Sequence, residues 1–252
     1  SDDDFLLHGA LTESVNFLEA NPDYGLCHGY CLMYLTHSNY VQYYRRDKKV
    51  HEDYNAERGQ DRVLDYMSQY IPPFYAVHRT SLLRDWYEAL PEGTIFEWQE
   101  IGHVYYMLAR AKARILPMPY VVREINYGRS DHNTEIMTTL SFKDARSVAD
   151  RERFAGFLAS LPTGISGLDE KQTAEVALQS FAALAESLTI RNALTIEPIF
   201  ESYWTDPTVG PKRVFGAKQY VEMPFYNSAF FEQLTQFEFL LHAMPAGRLQ
   251  LE

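Results

Sequence analysis

The sequence predicts a mixed α/β fold: a small sheet flanked by helices, followed by a mostly helical carboxyl-terminal region. In the first part of the chain, short apolar and aromatic runs alternate with segments of helical periodicity. After about residue 141 the helical period dominates. The chain has 252 residues, of which 46% are hydrophobic, so it is long enough to bury a sizeable core. We therefore divide it into regions 1–140 and 141–252.

Strands and helices are predicted to alternate in the first region. Apolar residues recur at helical spacing over residues 9–20, and the apolar, aromatic residues 24–36 predict a buried strand. Ser81 is a favoured helix-capping residue and predicts a helix that runs to Leu90. The other predictions for this region are a loop at 37–55, helices at 56–70 and 94–111, strands at 74–77, 114–116 and 120–125, and a polar loop at 126–139.

The second region is predicted to be nearly all helix. Apolar residues with helical periodicity predict helices over residues 142–161, 169–188 and 224–243. Residues 189–204 are expected to add another helix, and the turn-rich residues 205–217 to form a connector.

Composition limits the class of function. The chain carries 34 acidic and 23 Lys or Arg residues, a formal charge of −11, which argues against sequence-independent binding of nucleic acid. The two cysteines argue against a disulfide scaffold and fit a reducing compartment. No apolar run approaches the ~20 residues needed for a transmembrane segment. We expect a protein of the cytoplasm, or one at the membrane surface.

Three consecutive carboxylates, Asp2, Asp3 and Asp4, stand between a presumed strand and a helix. Like charges at this spacing repel, but a hard cation such as Mg²⁺ or Mn²⁺ makes them favourable by taking oxygen ligands. The sequence thus predicts a metal site, with a solvated acidic terminus as the alternative. Because the chain begins inside this motif, we expect further sequence upstream of Ser1.

Two further carboxylates, Glu97 and Glu100, lie on one face of the helix predicted at 94–111, because they are three residues apart. That face is offset from the apolar stripe, so neither need be buried, and either could act as a general base. Ordinary surface glutamates are the alternative. Glu100 and His103 also spell the Glu-x-x-His of di-iron bundles, but that site needs a second copy, which the sequence lacks.

Cys27, His28 and Cys31 have metal-like spacing, yet on a strand the two cysteines face one side and the histidine the other. The two cysteines are therefore predicted to be buried thiols, and the three residues are not expected to form a zinc site.

Other polar residues lie at strand ends and in the polar loop. Arg79 could contact a phosphate or a sugar, or simply face solvent at a strand end. His132, in the polar loop, is a candidate metal or diphosphate contact, or a solvated histidine. Arg123 and Glu124, at the end of the last strand, are expected to form an ion pair with each other.

The order of these motifs resembles a known family. The segments SDDDFLLHGALTESVNFLEANPDY, PPFYAVHRTSLL, IFEWQEIGHVYYMLARAKARIL and PMPYVVREI follow one another as in the carboxyl-terminal half of a bacterial GT-A glycosyltransferase of the family-2 type. The resemblance covers about residues 1–125. The nucleotide-binding half of such an enzyme is not in this sequence, so the chain alone is expected to bind a nucleotide-sugar poorly.

The resemblance implies roles for individual residues. In the family a DxD motif binds a divalent metal that holds the diphosphate of a nucleotide-sugar, and the acidic triplet matches its position. The pair could be Asp2 with Asp4, or Asp3 with Asp4. Arg79 matches an arginine of the family. The pair at 111–112 stands where a Gly-Lys pair usually follows the catalytic base, which selects Glu100 over Glu97 as the base, although Ala replaces Gly.

The implied function is metal-dependent transfer of a sugar from a nucleotide-sugar to a hydroxyl of a glycan or other acceptor, with inversion. Assembly of polysaccharides or surface glycans is the expectation at the level of the family. Glu97, Arg79 and His132 are the expected substrate contacts. The alternative is a non-catalytic module that binds glycans or proteins, or that oligomerises. A metal hydrolase would need a further ligand that the sequence does not clearly show.

Overall fold

The computed structural model describes residues 4–45, 52–69, 73, 75–125, 132–161, 165–192, 198–204, 209–216 and 228–243. They form the mixed α/β fold that the sequence predicts, but the sheet has eight described strands and is not the small sheet expected. The described strands are β1 (Phe5–Leu6), β2 (Tyr24–Thr36), β3 (Tyr40–Arg45), β4 (Glu52–Tyr54), β5 (Val77–His78), β6 (Lys112–Glu124), β7 (Phe200–Tyr203) and β8 (Lys212–Phe215). The described helices are α1 (His8–Ala20), α2 (Gly59–Gln69), α3 (Thr80–Ala89), α4 (Phe96–Arg110), α5 (His132–Ser141), α6 (Ala145–Ser160), α7 (Glu170–Asn192) and α8 (Ser228–Ala243).

Two long parallel strands, β2 and β6, form the centre of the sheet. The strand order is β1-β6-β2-β3-β7-β8, with β4 added to β6 and β5 added to β2. All other pairs are antiparallel. The chain returns from α4 directly into β6, so this helix and the central strands form one packed unit.

The prediction of two strands separated by a turn near residue 117 is wrong, because β6 is continuous. Pro117 and Pro119 lack the N–H groups that a regular ladder needs. The pairing with β2 accommodates them through register shifts between His28 and Tyr30 and between Tyr30 and Cys31. The prolines therefore interrupt the hydrogen bonding without ending the strand.

Predicted loops also contain regular structure. The loop expected at 37–55 contains β3 and β4, because β3 is rich in aromatic and β-branched residues and pairs with both β2 and β7. The polar loop expected at 126–139 contains the start of α5, although residues 126–131 lie outside the described ranges.

The carboxyl-terminal region is mostly helical, but it also contributes two strands to the sheet. The helix predicted at 189–204 is wrong at its carboxyl end: α7 is described to Asn192, and Phe200–Tyr203 form β7. The connector predicted at 205–217 contains β8, which pairs with β7. Because β7 pairs with β3, the sheet extends across the proposed boundary near residue 140.

The predicted cap at Ser81 is also wrong. α3 begins at Thr80, and the capping position is held by Arg79 in an extended conformation without a side-chain cap bond.

Among the described residues, the two largest apolar cores cover different parts of the sheet. The larger joins α4, α6 and α7 to the amino ends of the central strands, and includes Trp86, Ile101 and Phe181. The smaller joins α1 and α8 to the carboxyl ends of those strands, and includes Tyr43 and Phe200. In the part of the chain that is described, no helix combines the length and apolarity needed to cross a bilayer.

Candidate functional site

Asp4 is the member of the acidic triplet that the structure describes, and its carboxylate is held from two sides. Asp4 immediately precedes β1, whose pairing with β6 brings it next to Arg123. The Nε of Arg123 donates to Oδ1 at 3.0 Å, and the hydroxyl of Tyr75 donates to Oδ2. The side chain of Asp4 is only 5% exposed. Both carboxylate oxygens are therefore engaged by protein groups.

The partners of Asp4 are themselves fixed. Burial opposes the charged form of Arg123, but the neighbouring Asp4 carboxylate, together with Cys31 and Tyr75, outweighs this, and the pKa of the guanidinium is raised. The guanidinium also lies over the ring of Tyr75, 5.8 Å from its centroid. The backbone carbonyl of Tyr75 accepts a hydrogen bond from the hydroxyl of Tyr120. The ion pair of Arg123 in the structure is thus formed with Asp4, whereas the sequence predicts one with the adjacent Glu124.

Glu97 and Glu100 lie in the first turns of α4, as predicted, but in different surroundings. Glu97 is half-buried, whereas Glu100 is 8% exposed. The expectation that neither carboxylate need be buried is therefore wrong for Glu100. The reason is that α4 is covered on more sides than a surface helix, with the whole run 100–108 buried.

His103, one turn after Glu100, belongs to a buried group of imidazoles. Its ring contacts that of His78 with a centroid distance of 4.7 Å. The Nε2 atoms of both rings are buried and have no hydrogen-bond partner among the described residues. The ring nitrogens of His28 contact the carbonyl of Gly29 at 2.6 Å and the hydroxyl of Tyr66 at 3.2 Å. Burial lowers the pKa of His28 and His78 to about 4 and that of His103 to about 3.

The segment from Tyr75 to His78 links Asp4 to the face of α4 that carries Glu100. Tyr75 contacts Asp4 at one end, and His78 contacts His103 at the other. Residues three apart in an extended chain are separated by at most about 11 Å. Glu100 and His103 share a helical face because of their spacing. The two regions that the sequence singles out are thus connected through one short segment.

A small cavity of about 10 Å³ lies beside this segment. It is lined by His28, Gly29, Cys31, Tyr75, Ala76, Tyr120 and Val121. This is room for about one water molecule and far less than a sugar requires.

The guanidinium of Arg79 donates hydrogen bonds to three backbone carbonyls. Its Nε donates to the carbonyl of Tyr24 at 2.7 Å, and its Nη2 donates to those of Leu18 at 2.7 Å and Asn21 at 3.1 Å. These bonds tie the end of α1 to the start of β2 and give Arg79 a structural role. Its contact with a substrate stays a prediction.

Two other predictions concern His132 and the cysteines. His132 is the first residue of α5, but its side chain lies outside the described residues, so its role stays a prediction. Cys27 and Cys31 are both buried and neither forms a disulfide, which confirms that they are buried thiols.

Of the acidic triplet predicted to bind a metal, the structure describes one residue, Asp4. Asp2 and Asp3 lie outside the described residues. Among the residues that are described, no three His, Cys, Asp or Glu side chains converge in a way that could hold a metal ion. Asp4, with both oxygens engaged, does not by itself make a divalent-cation site.

Sequence reasoning did not identify Tyr75 or the contact between His78 and His103. A charged residue at the end of the apolar run of β6 indicates that Arg123 needs a partner, but it does not indicate which one. His103 gave only a weak signal, because a histidine within a helical apolar stripe is compatible with many environments.

The chain was compared with protein-family models, curated protein sequences and solved structures, and none of the three comparisons gave a match.

Proposed function

We propose that this chain is the acceptor-side half of a GT-A glycosyltransferase of the family-2 type. It would transfer a sugar from a nucleotide-sugar to a hydroxyl of a glycan or other acceptor. The proposal draws on the order of motifs in residues 1–125 and on the mixed α/β sheet. The observation that carries it is the Tyr75–His78 segment, which connects the acidic end of β1 to the helix face bearing Glu100.

Glu100 is the proposed general base. Its carboxylate would accept the proton of the acceptor hydroxyl as the hydroxyl oxygen attacks the anomeric carbon. The bond from that carbon to the diphosphate oxygen breaks as the new glycosidic bond forms, and the diphosphate leaves with the electron pair. One such displacement inverts the anomeric configuration. A carboxylate that is 8% exposed suits this role, because little bulk water competes with the acceptor hydroxyl for its oxygens.

A divalent cation, Mg²⁺ or Mn²⁺, remains part of the proposal because of the acidic triplet in the sequence. When bound, such an ion would neutralise charge on the diphosphate as a Lewis acid. The described residues contribute one carboxylate toward such a site, that of Asp4, and both of its oxygens already accept hydrogen bonds from Arg123 and Tyr75. Arg79, Glu97 and His132 remain the proposed substrate contacts, and the cytoplasm or the membrane surface the proposed location.

A second candidate is a non-catalytic module that binds glycans or proteins, or that oligomerises. It is favoured by two large apolar side chains on α8, Phe239 and Leu240, which are 56% and 51% exposed. Exposed apolar side chains that are adjacent can mark an interaction surface.

Isothermal calorimetry distinguishes the two candidates. The complete natural polypeptide that contains this sequence would be titrated with MnCl₂ and then with a panel of nucleotide-sugars. The enzyme is expected to bind Mn²⁺ and at least one nucleotide-sugar in its presence. Absence of binding across the panel, with a folded protein, would favour the module.

A further inference from the structure

Where β3 pairs with β7, one face of the sheet carries an ordered set of polar and aromatic side chains. Gln42 lies opposite Glu201, and Tyr40 lies opposite Tyr203. Because side chains alternate along a strand, these four point to the same face, and all four are half-buried. The residues between them are buried on the opposite face, which packs against α8. We name this set the polar sheet face; its members are His37, Tyr40, Gln42, Glu201 and Tyr203.

A hydrogen-bonded network fixes the polar members of this face. The amide Oε1 of Gln42 accepts from Nε2 of His37 at 2.8 Å, and the amide Nε2 donates to Oε1 of Glu201 at 2.8 Å. The other oxygen of Glu201 accepts from the hydroxyl of Tyr203. The hydrogen bonds from Tyr203 and Gln42 lower the pKa of Glu201, so this group is a carboxylate at neutral pH.

The aromatic members form a stacked row beside the network. The ring centroids of His37 and Tyr40 are 4.3 Å apart with an interplanar angle of 12°, and those of Tyr40 and Tyr203 are 5.1 Å apart with an angle of 22°. Tyrosine combines an apolar body with a polar tip. The polar sheet face therefore offers apolar ring surface next to an amide, a carboxylate and phenol hydroxyls.

The charge of this face matches a neutral ligand. Among the residues that the structure describes, no Lys or Arg forms a salt bridge with Glu201. The exposed Lys212 of β8 lies opposite Tyr203, so one carboxylate and one ammonium leave the patch without net charge. A sugar hydroxyl can donate to a carboxylate and accept from an amide or a phenol. An anionic ligand would instead meet the like charge of Glu201.

We propose that the polar sheet face binds a neutral glycan, whose hydroxyls pair with Gln42 and Glu201 and whose C–H surface packs against the tyrosine rings. Ordering five side chains on a partly open surface costs conformational entropy, and a ligand that meets groups already in place is bound without that cost. The inference rests on the proposed function only for the role of the glycan as acceptor. The binding itself is argued from the surface.

The test begins with a glycan array probed with the complete natural polypeptide that contains this sequence. The array carries neutral oligosaccharides of glucose, mannose, galactose and N-acetylglucosamine, beside uronate and sulfated oligosaccharides. The parent is expected to bind at least one neutral oligosaccharide. The one with the strongest signal is then titrated by calorimetry into the parent and into Gln42→Ala, Glu201→Gln and Tyr203→Ala. Glu201→Gln should weaken its binding about 10-fold or more, as loss of a hydrogen bond to a charged group does, and the other two variants should also weaken it.

The matched controls are Glu232→Gln and Gln236→Ala, at exposed positions of α8 on the opposite side of the sheet. Both should bind the neutral oligosaccharide as tightly as the parent. Urea unfolding checks that each variant is folded, and Glu201→Gln keeps the size and shape of the side chain. The inference would be overturned by absence of neutral-glycan binding, by binding confined to the uronate and sulfated oligosaccharides, or by parental affinity in all three variants.

Failure of the proposed function has a different signature. If the parent binds the neutral oligosaccharide through this face but releases no nucleoside diphosphate from any nucleotide-sugar, the transferase fails and the glycan site stands. If the parent turns over and Glu201→Gln has the parental KM for the acceptor, the glycan site fails and the transferase stands.

Discussion

The imidazole rings of His78 on β5 and His103 on α4 lie against each other, with a centroid distance of 4.7 Å, and the Nε2 of each is buried without a hydrogen-bond partner among the described residues. This contact joins the segment that reaches Asp4 to the helix that carries Glu100. It packs well only while both rings are neutral, because burial disfavours a charged imidazolium at both positions.

Stability is therefore expected to fall with mild acid. Burial depresses the folded-state pKa of His28, His78 and His103 below their ordinary value of 6.5. Their neutral forms stabilise the fold fully above pH 6.5. This contribution is lost as the pH falls from 6.5 toward 4 for His28 and His78, and toward 3 for His103. Each histidine contributes up to about 1.4 kcal/mol per pH unit in that window. Urea unfolding at a series of pH values measures the slope.

The variant His103→Leu isolates one of these contributions. It removes one titrating group, so the fall in unfolding free energy between pH 6 and pH 4 should become shallower by roughly 1 kcal/mol per pH unit. The same replacement at the exposed His8 serves as the control and should leave the slope unchanged. A slope in His103→Leu equal to that of the parent would show that His103 is already charged or solvated in the folded state.

The ion pair of Glu238 on α8 with Arg213 is expected to stabilise the folded protein. Glu238 is 1% exposed, accepts from Arg213 at 2.9 Å and from the hydroxyl of Tyr43 at 2.9 Å, and ties α8 to the sheet. The variant Arg213→Met leaves this carboxylate without its counter-charge and should cost about 3 kcal/mol of unfolding free energy, because breaking a buried pair is strongly destabilising.

The control for Arg213→Met is the exposed pair of Arg153 and Asp150. Arg153→Met should change the free energy of unfolding by less than about 1 kcal/mol, since exposed ion pairs contribute little. Similar losses in the two variants would contradict the assignment of Glu238 to a buried pair.

Gly102 is required by close packing in the middle of α4. A Cβ at this position would lie 2.4 Å from Cη2 of Trp86 and 2.7 Å from Cζ of Phe154. Trp86 is fully buried and has little room to move. The variant Gly102→Ala should therefore destabilise the protein by about 1–3 kcal/mol, despite the higher helix propensity of alanine. Thermal or urea unfolding measures this loss.

Gly156 in α6 is the matched control, because nothing lies within 4 Å of its hypothetical Cβ. Gly156→Ala should stabilise the protein by up to about 1 kcal/mol through helix propensity alone. If both alanine variants were stabilising, the packing of α4 against Trp86 would be looser than described.

The sequence was informative where the pattern is local. Helical periodicity located α1 and α4 to within a few residues, and the apolar run of β2 located the central strand. The short strands β3 and β7 were missed because their stability depends on pairing with other strands, β3 with β2 and β7, and β7 with β3 and β8. Such pairing is not visible in a local window of sequence.

In the candidate site too, local features were predictable from the sequence and long-range contacts were not. Glu100 and the acidic triplet stood out by residue type and spacing. The ion pair of Asp4 with Arg123 joins residues 119 positions apart and depends on the register of β1 on β6. The burial of Glu100 depends on how many elements cover α4, which residue spacing alone does not determine.

The most direct test of the central claim is turnover by the variant Glu100→Gln in the complete natural polypeptide. Release of nucleoside diphosphate from the nucleotide-sugar that the protein binds would be measured with saturating acceptor, beside Glu88→Gln on the exposed face of α3. If Glu100 is the general base, its variant stays folded and loses about 10²–10⁴-fold in kcat, while Glu88→Gln turns over normally. Near-normal turnover by a folded Glu100→Gln protein would contradict the account.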